Sequence, residues 1–261
     1  MKQRIITAII GLILFVPVVY MGSWILELVV AVLGIIALFE LFRMKGNKIF
    51  TVEGIISIIA LLGLLLPQYA AMILPEYMDT QMILYLFVLL LLVCTVFSKN
   101  NFTFDDVAVS VLGIMYIGFG FRFLLLTRYS GLDLLLFVLF VVWATDIGAY
   151  LIGRKVGKHK LAPSISPNKT IEGALGGVVM ALIVAFIYLT YYPQNYNIGW
   201  MLTLTFILSI AGQLGDLVES AFKRYYGVKD SGNLLPGHGG ILDRFDSLLF
   251  VLPVIYYSGL I

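Results

Sequence analysis

Long apolar segments, separated by short polar connections, make up almost the whole chain. We place nine of them, near residues 5–21, 24–42, 54–74, 81–98, 107–126, 132–152, 173–191, 198–219 and 244–260. Each holds at least seventeen nearly uncharged residues, which is enough for a helix to cross a hydrocarbon core of about 30 Å. Because backbone groups in lipid must be hydrogen-bonded within the protein, we predict helices rather than open strands.

Composition agrees with this pattern. Hydrophobic residues make up 61% of the chain and charged residues 12%, which excludes an ordinary soluble globular protein. We therefore predict an all-α fold, a polytopic integral membrane protein with about nine transmembrane helices. The single cysteine, Cys94, lies inside an apolar segment, so no disulfide framework is available. We expect one membrane domain over residues 1–261, in which residues 1–131 carry no clear chemistry and residues 132–261 form a catalytic half.

The basic residues predict the orientation of the chain. Fifteen of the 17 lysines and arginines fall in alternate connections. By the positive-inside rule, the N-terminus then lies in the cytoplasm and the C-terminus outside. We expect an integral protein of a bacterial cytoplasmic membrane, with its polar connections facing the cytoplasm. Glu27 and Glu40, in or near the second segment, are interpreted as lying close enough to an interface to reach water, and a functional role is the alternative.

A first polar block covers residues 143–177. An ionised aspartate at the depth of Asp146 needs a cation, a donor network or a water-filled cavity. Asp146 is followed by several basic side chains and then by a polar segment bracketed by prolines. The candidate binding residues in this region are Arg154, Lys158, Ser166 and Lys169. The alternative is a loop that only binds anionic head groups, which would not require Asp146.

A second polar block covers residues 212–247. Asp216, Ser220 and Lys223 have the spacing of one helical stripe, and Asp243 and Asp246 lie one turn apart. Oxygen ligands of this kind suit Mg²⁺, which commonly takes one or two carboxylates together with substrate phosphates and water. The alternative is that these charges pair among themselves as a structural network. Glu219 flanks this stripe, and the other charged residues and the histidine of this block are Arg224, Lys229, Asp230, His238 and Arg244.

These motifs resemble the signature of the phosphatidate cytidylyltransferase (CDP-diacylglycerol synthase) family. The resemblance rests on Ser220-Ala221-Phe222-Lys223-Arg224, Lys229-Asp230, Leu235-Pro236-Gly237-His238-Gly239-Gly240 and Asp243-Arg244-Phe245-Asp246. The first block is similar to another conserved block of that family at Asp146, Gly148, Ala149, Tyr150, Gly153, Arg154, Gly157, Lys158, Ser166, Pro167, Lys169, Thr170, Glu172 and Gly173. The two blocks cover under a third of the chain.

The resemblance implies that CTP and phosphatidic acid react to give CDP-diacylglycerol and pyrophosphate, a step of phospholipid biosynthesis. It implies Mg²⁺ bound by Asp216, Asp243 and Asp246, whose carboxylates a second cation could share. Lys223 joins these three as a catalytic residue. The residues that would hold phosphates of CTP or of the lipid are Lys223, Arg224, Lys229 and His238. The implied substrate-binding residues are Asp146, Arg154, Lys158, Ser166, Lys169, Ser220, Arg224, Lys229, His238 and Arg244. The expected partners are CTP, phosphatidic acid and membrane lipid, without nucleic acid, and a homodimer is expected from the resemblance alone.

Three other functions are weighed against this one. A CTP-dependent lipid kinase is closest in chemistry, but it would release CDP rather than pyrophosphate. A polytopic transporter usually shows repeat symmetry and paired broken helices, and the sequence shows neither. A CDP-alcohol phosphotransferase would need its own aspartate motif, which is missing here.

Overall fold

A computed structural model describes residues 2–75, 78–194 and 196–261. Helices dominate it, and two short strands lie between the seventh and eighth of them. In chain order the elements are α1 (Lys2–Met21), α2 (Ser23–Lys45), α3 (Val52–Leu65), α4 (Pro67–Ile73), α5 (Thr80–Phe97), α6 (Phe104–Ser130), α7 (Leu132–Val156), β1 (Lys160–Ala162), β2 (Ser166–Thr170), α8 (Ile171–Tyr191), α9 (Ile198–Tyr225) and α10 (Leu242–Tyr257).

Each of the nine predicted segments falls on helical structure, but the third is divided. Pro67 stands at the start of α4, where its missing N–H and fixed φ suit the first turn of a new helix. Within the described ranges, six helices are long and apolar enough to cross a membrane, namely α2, α5, α6, α7, α8 and α9. The protein is therefore a mainly helical, polytopic membrane protein, while the count of nine spans and the orientation of the termini stay predictions.

A small hairpin departs from the predicted all-α fold. β1 and β2 pair antiparallel, with Lys160 opposite Thr170 and Ala162 opposite Ser166. The two prolines of this segment argued against a strand, since proline donates no hydrogen bond to a ladder. β2 runs directly into α8, and the Thr170 hydroxyl accepts a hydrogen bond from the Gly173 N–H at 3.1 Å, which caps the helix.

The chain separates into two compact units, one formed by Met1–Leu125 with Asp230–Leu242 and the other by Leu126–Lys229 with Asp243–Ile261. The first contains an apolar cluster from α3, α5 and α6, with Leu64, Leu91 and Ile114 fully buried. Residues 132–261, the predicted catalytic half, thus contribute to both units. Their catalytic role stays a prediction.

Glycines bring α7 and α8 of the second unit into close contact. A Cβ atom added at Gly148 would lie 2.6 Å from the Met180 Cβ and 2.9 Å from the Gly176 carbonyl oxygen. Small residues allow such backbone approach between helices in lipid. This contact fixes α7, the helix of Asp146, against α8.

α9 joins this pair and also packs closely on α10. The Thr145 hydroxyl of α7 donates a hydrogen bond to the Ser209 hydroxyl of α9 at 3.0 Å. On α9, a Cβ atom added at Gly215 would lie 2.5 Å from the Asp246 carbonyl oxygen of α10. The close approach at Gly215 places the neighbouring Asp216 beside the first turns of α10.

Candidate active site

The acidic cluster of the second unit is built on α9 and α10. α9 continues to Tyr225, so the predicted stripe lies on one unbroken helix. The Ser220 hydroxyl donates to Asp216 Oδ1 at 3.3 Å. Asp243 and Asp246 occupy the first two turns of α10. The spacing on each helix is therefore as predicted.

Lys223 lies between two carboxylates. Its Nζ is 2.7 Å from Glu219 Oε2 and 2.5 Å from Asp243 Oδ1. The Lys223 side chain is 12% exposed and that of Glu219 is 0% exposed, so water screens these charges poorly. Glu219 was not among the predicted site residues, although its spacing of four from Lys223 on a predicted helix is a pairing signal.

Asp246 lies beside two other carboxyl groups. Its Oδ1 accepts a hydrogen bond from the Ser247 N–H at 2.7 Å, the negative charge of Asp216 acts on it, and Glu219 lies within hydrogen-bonding reach of it. The second oxygen of Glu219, Oε1, is buried and has no hydrogen-bond donor in the described part of the chain. A buried oxygen without a donor is costly.

Asp146 adds a fifth carboxylate from α7. The negative charges of Asp216 and Asp246 act on it, as do the positive charges of Lys169 and Arg244. The helix ends and the hairpin thus gather five carboxylates and three cationic side chains. The carboxylates belong to Asp146, Asp216, Glu219, Asp243 and Asp246, and the cations are Lys169, Lys223 and Arg244.

The hairpin is attached to α9 by charged side chains. Lys169 Nζ lies 2.6 Å from Asp216 Oδ2. From α9, Arg224 Nε donates to the Ile165 carbonyl in the hairpin turn at 3.2 Å, and its Nη1 donates to the Val228 carbonyl at 3.3 Å. Ser166 lies at the start of β2, beside Ile165. These contacts place one edge of the hairpin over the carboxylates.

Glu172 holds the turn that follows α7. Its Oε2 accepts the backbone N–H groups of Lys158 at 3.0 Å and His159 at 3.2 Å, and its Oε1 lies 2.6 Å from His159 Nδ1. In the last turn of α7, Arg154 Nη1 donates to the Tyr150 hydroxyl at 3.3 Å. In the sequence, Glu172 was noted only as a match to the family block, because its partners lie across a turn that the sequence does not define.

The glycine-rich turn belongs to the first unit. Its backbone closes through the His238 N–H to the Leu235 carbonyl at 2.8 Å. Gly237 and Gly239 have φ of 77° and 83°, a region that side-chain-bearing residues rarely adopt. The Nδ1 atom of His238 is buried without a hydrogen-bond partner among the described residues. The predicted phosphate contacts of His238 and of the exposed Lys229 stay predictions.

No ready-made metal site is present in the described parts of the chain, since no three histidine, cysteine or carboxylate side chains there could hold an ion by themselves. Of the three predicted ligands, Asp243 is engaged by Lys223 and Asp216 by Lys169. The alternative of mutual ion pairing is therefore realised in part. Five carboxyl groups nevertheless lie among only three cationic side chains in this cluster.

Comparison with known proteins extends the similarity beyond the two polar blocks. Residues 2–261 match the model of the Cytidylyltransferase family. The chain is 51% identical over 255 residues to the phosphatidate cytidylyltransferase of Staphylococcus haemolyticus, covering 98% of this chain and 97% of that protein. Proteins of the same name from Staphylococcus saprophyticus and Staphylococcus aureus are 50% and 49% identical with the same coverage.

Proposed function

This chain belongs to the cytidylyltransferase family, and we propose that it is a phosphatidate cytidylyltransferase, which makes CDP-diacylglycerol and pyrophosphate from CTP and phosphatidic acid. Similarity to proteins of that name runs along nearly the full length of the chain. The observation that carries the proposal is the cluster of five carboxylates and three cations on α7, α9, α10 and the hairpin. Mixed charges of this kind suit a reaction between two phosphate-bearing molecules.

The proposed reaction is a phosphoryl substitution. A phosphatidate oxygen forms a bond to the α-phosphorus of CTP, and the bond from that phosphorus to the bridging oxygen of the β-phosphate breaks, releasing pyrophosphate in line. The phosphatidate oxygen is already ionised near neutral pH, so no strong general base is required. The protein must instead bring two anions together and neutralise them.

The cationic side chains divide into two groups in this proposal. Lys169 and Arg244 lie at the edge of the cluster and hold substrate phosphates. Lys223 is buried between Glu219 and Asp243, which favours a positioning role over the predicted phosphate contact. Arg224 fixes the turn of the hairpin through the Ile165 carbonyl. Arg154, Lys158, Ser166, Ser220, Lys229 and His238 complete the proposed set of substrate-binding residues.

The donor set fits a divalent cation. Asp216 and Asp246 lie close enough to interact, and Glu219 Oε1 is buried beside them without a donor. With every group ionised, five carboxylates exceed three cations by two charges, which one Mg²⁺ would balance. Asp216, Asp243 and Asp246 would hold the ion, with substrate phosphates and water as the remaining ligands. Bound Mg²⁺ supplies neutralisation of the nucleotide phosphates and of the departing pyrophosphate.

The proposed site opens to the cytoplasm, where CTP is made. Support comes from the basic connections, since the hairpin and the segment after α9 are among the most basic parts of the chain and the positive-inside rule places such segments in the cytoplasm. Phosphatidic acid, a membrane lipid, would reach the same place from the bilayer. A homodimer remains an expectation from the family resemblance.

A product assay tests this proposal. The purified protein is incubated with CTP, Mg²⁺ and phosphatidate in lipid micelles, and both pyrophosphate and the cytidine-containing lipid are followed. We expect equal amounts of the two products, loss of both on adding EDTA, and recovery on restoring Mg²⁺. Release of CDP with a phosphorylated lipid would instead identify a kinase, and uptake by vesicles without turnover would identify a transporter. Absence of both products in several detergents would refute the proposal.

A further inference from the structure

Glu40, on α2 in the first unit, is a buried carboxylate. Its position in an apolar segment was interpreted as near enough to an interface to reach water. That interpretation is wrong, because the residue is 2% exposed. A carboxylate so buried is stable only when it is well hydrogen-bonded.

Its hydrogen bonds come from a segment about 200 residues later in the chain. Glu40 Oε1 accepts the Ile241 N–H at 2.8 Å, and Oε2 accepts the Leu242 N–H at 2.9 Å. Oε2 also accepts the Ser231 hydroxyl at 3.0 Å. One carboxylate thus holds both ends of the segment 231–242, within which the glycine-rich turn lies.

The backbone of that segment is shaped to receive the carboxylate. A Cβ atom at Gly232 would lie 2.4 Å from Glu40 Oε1, and one at Gly240 would lie 2.4 Å from the same atom. Both distances are too short for any side chain. Glycine at these two positions therefore allows the backbone to close around Glu40.

Leu242 is the first residue of α10. The first N–H groups of a helix have no acceptor within the helix, and a negative charge is favoured there by the helix dipole. Glu40 therefore acts as an N-terminal cap for α10, supplied by another helix. Asp243 and Asp246 follow within the next four residues of the same helix.

We propose that Glu40 is a positioning residue of the cytidylyltransferase reaction, which fixes the start of α10 and with it the carboxylates of Asp243 and Asp246. This inference rests on the proposed function. It differs from a purely structural role because it predicts an effect on the use of Mg²⁺ and on turnover, beyond any effect on stability.

The test compares Glu40→Gln with Glu27→Gln. Glu27 lies on the same helix and also accepts two hydrogen bonds, from Gln68 Nε2 at 3.1 Å and the Tyr69 hydroxyl at 2.6 Å. In Glu40→Gln the amide oxygen can still accept one of the two backbone N–H groups. The amide nitrogen that replaces the other carboxylate oxygen carries hydrogens, so it cannot accept the second N–H. The two variants thus remove the same charge from the same helix, and only one of them disturbs the α10 start.

Two measurements are made on each full-length variant in lipid micelles. Hydrogen exchange followed by mass spectrometry should show faster exchange at Ile241 and Leu242 in Glu40→Gln by roughly tenfold or more, as expected for a lost hydrogen bond to a charged group. Pyrophosphate release should show a lower kcat and a higher Mg²⁺ concentration for half-maximal activity. Glu27→Gln should match the wild type in both.

Wild-type kcat and Mg²⁺ dependence in Glu40→Gln would overturn the inference, whatever the exchange rates. If that variant does not fold, Glu40→Asp decides. It keeps the charge, but its shorter side chain cannot reach both amides, so the same changes are expected in smaller amount. Failure of both variants to fold would overturn the inference in favour of a role in folding alone. An inactive wild type would refute the proposed function, while the exchange measurement would still decide whether Glu40 holds the start of α10.

Discussion

Replacing Lys223 by methionine tests the electrostatic interpretation of the cluster most directly. Methionine keeps much of the volume of the lysine stem but removes the ammonium group. Glu219 and Asp243 then face each other without the cation that lies 2.7 and 2.5 Å from their oxygens. We expect a large loss of stability together with a loss of turnover.

The expected magnitude follows from burial. Exposed ion pairs contribute only about 0–1 kcal/mol, but the Glu219 and Asp243 side chains are 0% and 5% exposed. Removing one partner of a buried pair typically costs about 3–5 kcal/mol, because the remaining charge stays desolvated. Lys223→Met leaves two such carboxylates, so we expect the upper part of that range, or a fall of about 10 °C in the unfolding midpoint.

The assay is thermal unfolding in one detergent, with Lys229→Met as the control and Lys223→Met/Glu219→Gln as the rescue. Lys229 is exposed, so its replacement should change stability by less than about 0.5 kcal/mol. The double variant removes one of the two stranded charges and should recover at least about 1 kcal/mol of the loss. A midpoint for Lys223→Met equal to that of the wild type, or a double variant no more stable than the single one, would refute the reasoning.

Other outcomes can be checked on single variants. Asp243→Asn should lower CDP-lipid formation at least about a hundredfold. It should also lower the unfolding midpoint, because Asp243 is a buried partner of Lys223. Wild-type turnover across Mg²⁺ concentrations would contradict the metal assignment. Gly148→Ala should cost about 1–3 kcal/mol by overpacking, whereas Gly11→Ala, with no atom within 4 Å of the added Cβ, should not. Glu172→Gln should speed tryptic cleavage in the turn around His159, and unchanged cleavage would mean that Glu172 does not hold this turn.

Features that depend on the local spacing of residues, such as helical segments and the side chains on one helix face, were predicted correctly from the sequence. Apolar segments long enough to cross a membrane all fell on helices, because few other structures satisfy the backbone in lipid. The stripe of Asp216, Ser220 and Lys223 was read from helical periodicity and lies on one continuous helix. The division of the third segment at Pro67 was also predictable, because proline favours the first turn of a helix. One undivided segment was predicted instead, since membrane helices tolerate proline.

Contacts between distant parts of the chain could not be predicted in this way. The pairing of Lys223 with Asp243 crosses a segment of irregular backbone, and Glu40 meets partners that lie about 200 residues later. No periodicity links such positions, because which carboxylate meets which amide depends on the packing of complete helices. The hairpin was missed for another reason, since Pro163 and Pro167 disfavour a strand locally and its pairing is completed by only a few residues.

The close contact of α7 and α8 through glycines also bears on how the protein assembles. In water, a glycine makes a helix less stable than an alanine does by about 1 kcal/mol. In α7 and α8 the glycines allow close packing between the two helices, and this packing offsets the lower helix propensity. α7 and α8 are consecutive helices joined by the hairpin, and contacts between segments that are close in sequence form quickly. Once both helices are inserted, they can dock as a pair without waiting for the rest of the chain. We therefore expect the α7–α8 pair with its hairpin to dock before α9 and α10 pack against it.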